Sequence, residues 1–148
     1  MYCCCFGHRE LYANIESELE EVLDKIIQEN DDVVFLTGGM GETDGKFSSC
    51  VRRLKRKYPH IRLLWIMPYL TNELNTYKDY YISSFDDIII PEELMGTYYK
   101  SAIGKRNRWM VDHSEIVIDC TYRDYGGAYT AIKYALRKNK KVISIIKK

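Results

Sequence analysis

Two glycine pairs carry most of the chemistry this sequence offers. In "FLTGGMGETDG" Gly38 and Gly39 close an apolar run, Gly41 follows, and the carboxylates Glu42 and Asp44 come next. In "YGGAYTAIK" Gly126 and Gly127 stand ahead of Thr130 and Lys133. Glycine permits φ > 0 and close approach to the backbone. A helix beginning at such a turn offers unpaired N–H groups and the positive end of its dipole, which together seat an anion. Neither loop is a GxxxxGK[ST] phosphate loop or a GxGxxG fingerprint. Glu42 and Asp44 are suited either to a ribose hydroxyl or to capping the helix. A plain strand-to-helix turn accounts for each pair alone; two pairs at two strand ends point to a phosphate seat more strongly.

A third loop, "GHR", adds Gly7, His8 and Arg9. Arginine grips phosphate bidentately and histidine donates to it; the alternatives are a surface ion pair and a satisfied polar contact. The block "KRNRWMVDHS" is dense in polar groups: Arg106 or Arg108 is a candidate for the cleft, a solvated basic face being the alternative for at least one of them, and Trp109 and Met110 are suited to the core. The 13 tyrosines cluster in "TYKDYYISSF" and "TYYK", where they serve equally to stack on a base or to pack at an interface.

The elements that must position these groups alternate. Strands are expected at 2–6, 32–37, 61–67, 86–90, 115–120 and 141–146. Helices are expected at 11–30, 47–58, 75–85, 105–114 and 128–139, from apolar residues at helical spacing. Strand–helix alternation predicts an α/β, Rossmann-like, doubly wound and mostly parallel sheet of about six strands with helices on both faces. No linker or repeat divides residues 1–148, so a single domain is expected. Ligands of such sheets sit beyond the carboxyl ends of the strands, where strand order reverses.

Lys and Arg number 22 and Asp and Glu 21, a formal charge of +1. A dedicated nucleic-acid binder carries a stronger basic field, so nucleic acid is not expected as a partner. The run Arg52, Arg53, Lys55, Arg56 and Lys57 reads as a solvated helix face. No apolar run approaches the roughly 20 residues of a bilayer span, and the first residues lack a secretory pattern. Five cysteines, an odd count, suggest reduced thiols in the cytoplasm. Adjacent Cys3, Cys4 and Cys5 point to opposite faces of a strand and have no partner pair for zinc; neither metal nor cofactor is expected.

Together "CCFGHR", "GGMGETD", "YPHIRLLWIMPY", "KRNRWMVDHSEIVI" and "GGAYTAIKYALRKNKKVISI" resemble the short stand-alone members of the SLOG superfamily, in particular the YpsA-type group, nearly end to end. The resemblance implies a Rossmann-like fold that binds nucleotide-derived ligands. Its wider circle includes LOG phosphoribohydrolases, DprA proteins, and sensor domains of bacterial defence. Arg106 and Met110 match the RKxxM segment of LOG enzymes, with Asn107 in place of lysine. Gly126, Gly127 and Thr130 match their PGGxGTxxE motif, but Tyr129 replaces a glycine and Lys133 stands where the catalytic glutamate belongs. An ammonium replaces that carboxylate poorly in glycosidic hydrolysis but suits a phosphate.

The expected function is therefore binding of a nucleotide-derived small molecule, ADP-ribose-like or a cyclic nucleotide signal. The protein then acts as a sensor, or as a sequestering protein if phage-encoded, and a homo-oligomer is expected. The alternatives are a hydrolase of an N-glycosidic or ADP-ribose-type bond, with no catalytic residue assigned, and DprA-like single-stranded DNA binding. The expected ligand contacts are Gly7, His8, Arg9, Gly38, Gly39, Gly41, Glu42, Asp44, Arg106, Asn107, Gly126, Gly127, Thr130 and Lys133.

Overall fold

Short runs of successive apolar residues suit strands covered on both faces, and six of them pair into one sheet. A computed structural model describes residues 1–69 and 78–146. The strands are β1 (Tyr2–Phe6), β2 (Val34–Thr37), β3 (Arg62–Ile66), β4 (Asp87–Ile89), β5 (Ile116–Asp119) and β6 (Lys141–Ser144). The helices are α1 (Glu16–Glu29), α2 (Glu42–Lys57), α3 (Lys78–Ser84), α4 (Tyr99–His113) and α5 (Gly127–Arg137). All strand pairs are parallel, in the order β4-β3-β2-β1-β5-β6. The Rossmann-like α/β class expected from the sequence is the one observed.

Strand alternation divides the core into two layers. Cys3, Cys5, Phe35 and Leu63 pack with Leu19, Leu23, Phe47 and Val51 of α1 and α2. Cys4, Phe6, Leu36 and Leu64 face the other way, onto Met110 and Val111 of α4 and Ala131 and Ala135 of α5. The three successive cysteines are thus core side chains on opposite faces, at most 1% exposed. Among the described residues no helix is long and apolar enough to cross a membrane.

Two helices start earlier than their apolar spacing suggests. The second begins at Glu42, not Phe47, because the chain turns at Gly41 (φ 92°) and Asp44 of the first turn binds back to the Met40 N–H. The fourth begins at Tyr99, not Lys105. Gly104 costs this helix only about 1 kcal/mol relative to alanine, and buried Ala102 anchors the added turn. Of the helix expected at 75–85, Lys78–Ser84 is seen, while 75–77 lie outside the described residues.

Candidate functional site

The chain adds strands outward from β1 to β4, then crosses to the other side of β1 for β5. At that reversal a pocket of about 350 Å³ opens beyond the strand ends. Gly7, His8 and Arg9 line it from behind β1, Gly38 and Met40 from behind β2, and Arg123 and Tyr125 to Ala128 from behind β5. Asp44 of α2 and Arg106 and Asn107 of α4 complete the wall.

The first N–H of α2 is taken up by the β1 loop. This N–H, on Glu42, donates to the Arg9 carbonyl at 2.9 Å, and the Asp44 carboxylate accepts the Met40 N–H at 2.8 Å. Thr43, fully buried, donates its hydroxyl to the His8 carbonyl at 2.8 Å. The β1 loop lies so close that a Cβ on Gly7 would come within 2.3 Å of Thr43 Cγ2. Asp44 is therefore a loop-fastening group that also faces the pocket. Burial pushes its carboxyl up to about 6, while the Met40 N–H and the Arg106 charge oppose that rise.

The N-terminus of α5 is different. Its N-cap, Gly126 (φ 97°), supplies no side-chain hydrogen bond to the helix, and a Cβ on Gly126 or Gly127 would meet nothing within 4 Å. The first turn opens on the pocket, so the positive end of this dipole is available to an anion. Of the two glycine loops, this is the one whose first helical N–H meets no loop carbonyl among the described residues.

Arg106 is buried, 3% exposed. Its Nη1 donates to the carbonyls of Gly38 (3.1 Å) and Ile66 (3.0 Å), and its Nε to Asn107 Oδ1 (2.9 Å). Nη2 lies 3.6 Å from Met40 Sδ. The guanidinium thus ties the ends of β2 and β3 to α4 and gives the pocket a fixed positive charge. Because Asn107 Oδ1 is taken, its amide N–H groups are left as donors.

Arg9 is exposed and lines the pocket without an ion-pair partner among the described residues. His8 is nearly buried, and its Nε2 accepts the Arg123 backbone N–H at 3.1 Å, so the ring carries its proton on Nδ1. This bond and an edge contact with Tyr122 (4.6 Å between centroids) join the β1 and β5 loops. The Arg123 guanidinium lies 4.9–5.8 Å from the ring centres of Tyr12, Tyr122 and Tyr125 and donates to Tyr12 Oη at 3.1 Å. Tyr12 and Tyr125 remain 74% and 63% exposed.

Below the pocket the Cys5 and Cys120 thiols lie 3.6 Å apart. The hydrogen bond to Cys120, then burial, holds Cys5 well above the usual thiol range, so it is no ready nucleophile.

Several residues expected from the sequence lie elsewhere. Gly39 and Gly41 line a neighbouring hollow that shares Asp44 with the pocket. Gly39 backs onto Trp65, whose Nε1 would lie 2.4 Å from a Cβ there. Glu42 is exposed and its side chain lines neither space. Thr130 turns its hydroxyl onto the Gly126 carbonyl and lines a cleft between α4 and α5. Lys133 is exposed and lies over the Tyr129 ring at 5.8 Å, so it does not share the pocket wall. Its position on α5 rotates it away. Arg123, Tyr125, Met40 and Ile103 line the pocket without having been anticipated. A lone arginine flanked by tyrosines in "TYRDYGG" was the one available signal.

Charge is segregated over the molecule. Helix α1 holds Glu16, Glu18, Glu20, Glu21, Asp24 and Glu29 against Lys25. Three cations of the basic run of α2 are paired, Arg53 with Glu20, Lys57 with Asp24 and Lys55 with Asp86, as is Lys46 earlier in the helix, with Glu16. Helices α4 and α5 carry Lys100, Lys105, Arg108, Lys133 and Arg137 exposed, with no ion pair among the described residues.

No protein-family model matches the chain. It is 28% identical, over 82% of its length and 80% of the other's, to YoqJ, an uncharacterized SPbeta prophage-derived protein of Bacillus subtilis (strain 168). Its fold matches that of DNA processing protein A from Helicobacter pylori, in a structure concerned with that protein's single-stranded DNA binding mode. The TM-score is 0.69 at 14% identity, over all of this chain. The chain spans 66% of that neighbour's length. The Rossmann-like fold is common to both. The expectation that nucleic acid is not a partner is corrected on this point: a single-stranded DNA-binding protein shares the fold. The net charge of +1 averages an acidic helix with a basic helix pair.

Proposed function

We propose that the pocket holds one nucleotide unit of single-stranded DNA, its phosphate at the open end of α5 and its base against the exposed tyrosines. The observation that carries this is the convergence of Arg9, Arg123 and the uncapped Gly126–Gly127 turn on one pocket with Tyr125 at its rim. Arginine and backbone N–H groups bind phosphate without regard to sequence, and an exposed aromatic ring accepts any base. Likeness to a single-stranded DNA-binding protein in fold supports the same reading. We also infer SLOG-type kinship, on the motif resemblance and the shared fold, with residues 1–148 acting as one unit.

A second reading is favoured by the pocket's size. About 350 Å³ falls within the range of small-molecule sites, so a free nucleotide-derived molecule, sensed or sequestered, is the rival occupant. Fluorescence anisotropy with a labelled oligothymidylate, competed by AMP, ADP-ribose and cyclic nucleotides, separates them. DNA binding that the free nucleotides displace only weakly supports the first reading. Tight binding of one free nucleotide with no binding of the oligomer overturns it in favour of the second.

A further inference from the structure

The cleft between α4 and α5 is continuous with the pocket. It encloses about 140 Å³ and is lined by Gly104, Arg108, Thr130 and Arg137, together with Asn107 and Gly127, which also line the pocket. Asn107 stands at the joint; Arg106 fixes its Oδ1 as an acceptor at 2.9 Å, so its amide presents the N–H groups as the remaining donors. Arg108 and Arg137 are exposed and unpaired by any carboxylate among the described residues. Arg137 lies over the face of Tyr134, at 5.8 Å. Gly104 keeps the floor open, its absent Cβ lying 3.9 Å from Arg108 Nη1. Tyr134, which also lines the cleft, donates to Asp112 Oδ1 at 2.7 Å, a carboxylate that repels a further anion.

We propose that this cleft is a backbone track. It takes the phosphodiesters next to the nucleotide in the pocket, with Asn107 at the junction and Arg108 and Arg137 each facing one phosphate. The direction is set by charge: the opposite flank of the molecule is the carboxylate-rich α1, which a polyanion avoids. The proposal rests on the single-stranded DNA reading of the pocket and adds to it a strand direction and a length.

The test measures a labelled oligothymidylate of about twelve nucleotides, within the usual site size of single-strand binders, against thymidine monophosphate, over a series of salt concentrations. In the Arg108→Ala/Arg137→Ala protein the oligomer is expected to bind about tenfold or more weakly. Its log–log salt slope should flatten by about 1.4, at about 0.7 for each phosphate no longer neutralised, while monophosphate binding stays within about twofold. Arg108→Lys, which keeps the charge, should retain most of the slope. Oligomer binding and slope unchanged in the double variant overturn the track and leave the pocket reading standing. No oligomer binding by the natural protein overturns both.

Discussion

The Arg106 guanidinium lies against the backbone of Gly38. Nη1 donates to the Gly38 carbonyl at 3.1 Å, and a Cβ on Gly38 would meet Cζ at 2.9 Å. The glycine is required here for room rather than for a left-handed φ. Removing Arg106 takes the charged donor from the Ile66 carbonyl and the Asn107 amide oxygen, while the Gly38 carbonyl keeps the Trp65 indole N–H at 3.0 Å. Arg106→Ala is expected to cost about 3 kcal/mol or more in urea unfolding, because buried acceptors lose a charged donor. Gly38→Ala should cost about 1–3 kcal/mol through overpacking. If Arg106→Ala unfolds like the natural protein, the clamp contributes nothing to the fold.

Asp44 should make both stability and binding depend on pH. Its carboxyl ionises at about 6 in the folded chain against 3.8 as the ordinary value. Between these values the native state holds more protons, so stability falls as pH rises from about 4 to 6, by up to about 3 kcal/mol. Protonation also removes the carboxylate from the pocket. Oligonucleotide affinity should therefore strengthen as pH falls through 6, since phosphodiesters stay charged throughout. Asp44→Asn should remove the pH dependence of affinity; an unaltered titration in that variant would assign it to another group.

The two glycine loops should respond differently to valine. Gly127 has open space around it, and valine is no worse than glycine in a helix. Gly127→Val should leave thermal unfolding almost unchanged yet abolish oligonucleotide binding. Gly39 sits at φ 66° against the Trp65 indole, so Gly39→Val should lower the melting temperature and report on folding instead. Undiminished binding by a folded Gly127→Val protein would mean that the α5 turn is not the phosphate seat.

Arg9, exposed, and Arg123, half-buried, supply the outer cations of the pocket. Removing either charge-assisted bond to phosphate should weaken oligonucleotide binding about 10-fold to 100-fold. Arg123→Ala should in addition loosen Tyr12, whose hydroxyl it binds, visible as increased tyrosine accessibility to quencher. Affinity unchanged in both single variants would place the strand on another face.

The cations of α2 should matter little for DNA. Arg53 and Lys57 face Glu20 and Asp24 at 3.7 and 3.8 Å, so their charge is offset locally. Arg53→Ala and Lys57→Ala are expected to change oligonucleotide affinity by less than about twofold. A loss as large as that of Arg9→Ala would move the binding face to α2.

The apolar runs and helical spacing by themselves determined the parallel sheet, since consecutive buried residues such as Cys3 to Phe6 demand cover on both faces. They also put the glycine loops at strand ends. What only the tertiary structure decided is which loop stays open. A helix end is satisfied through space: the Arg9 carbonyl reaches the first N–H of α2 from a loop before α1, and among the described residues no loop carbonyl reaches the first N–H of α5. Periodicity has no access to such partners, nor to the rotation that takes Lys133 off the pocket wall. Charge shows the same division. Composition yields a total near zero, but pairing across the α1–α2 interface offsets part of one basic run and leaves the α4–α5 cations exposed, because electrostatic fields depend on where charges lie and not on their sum.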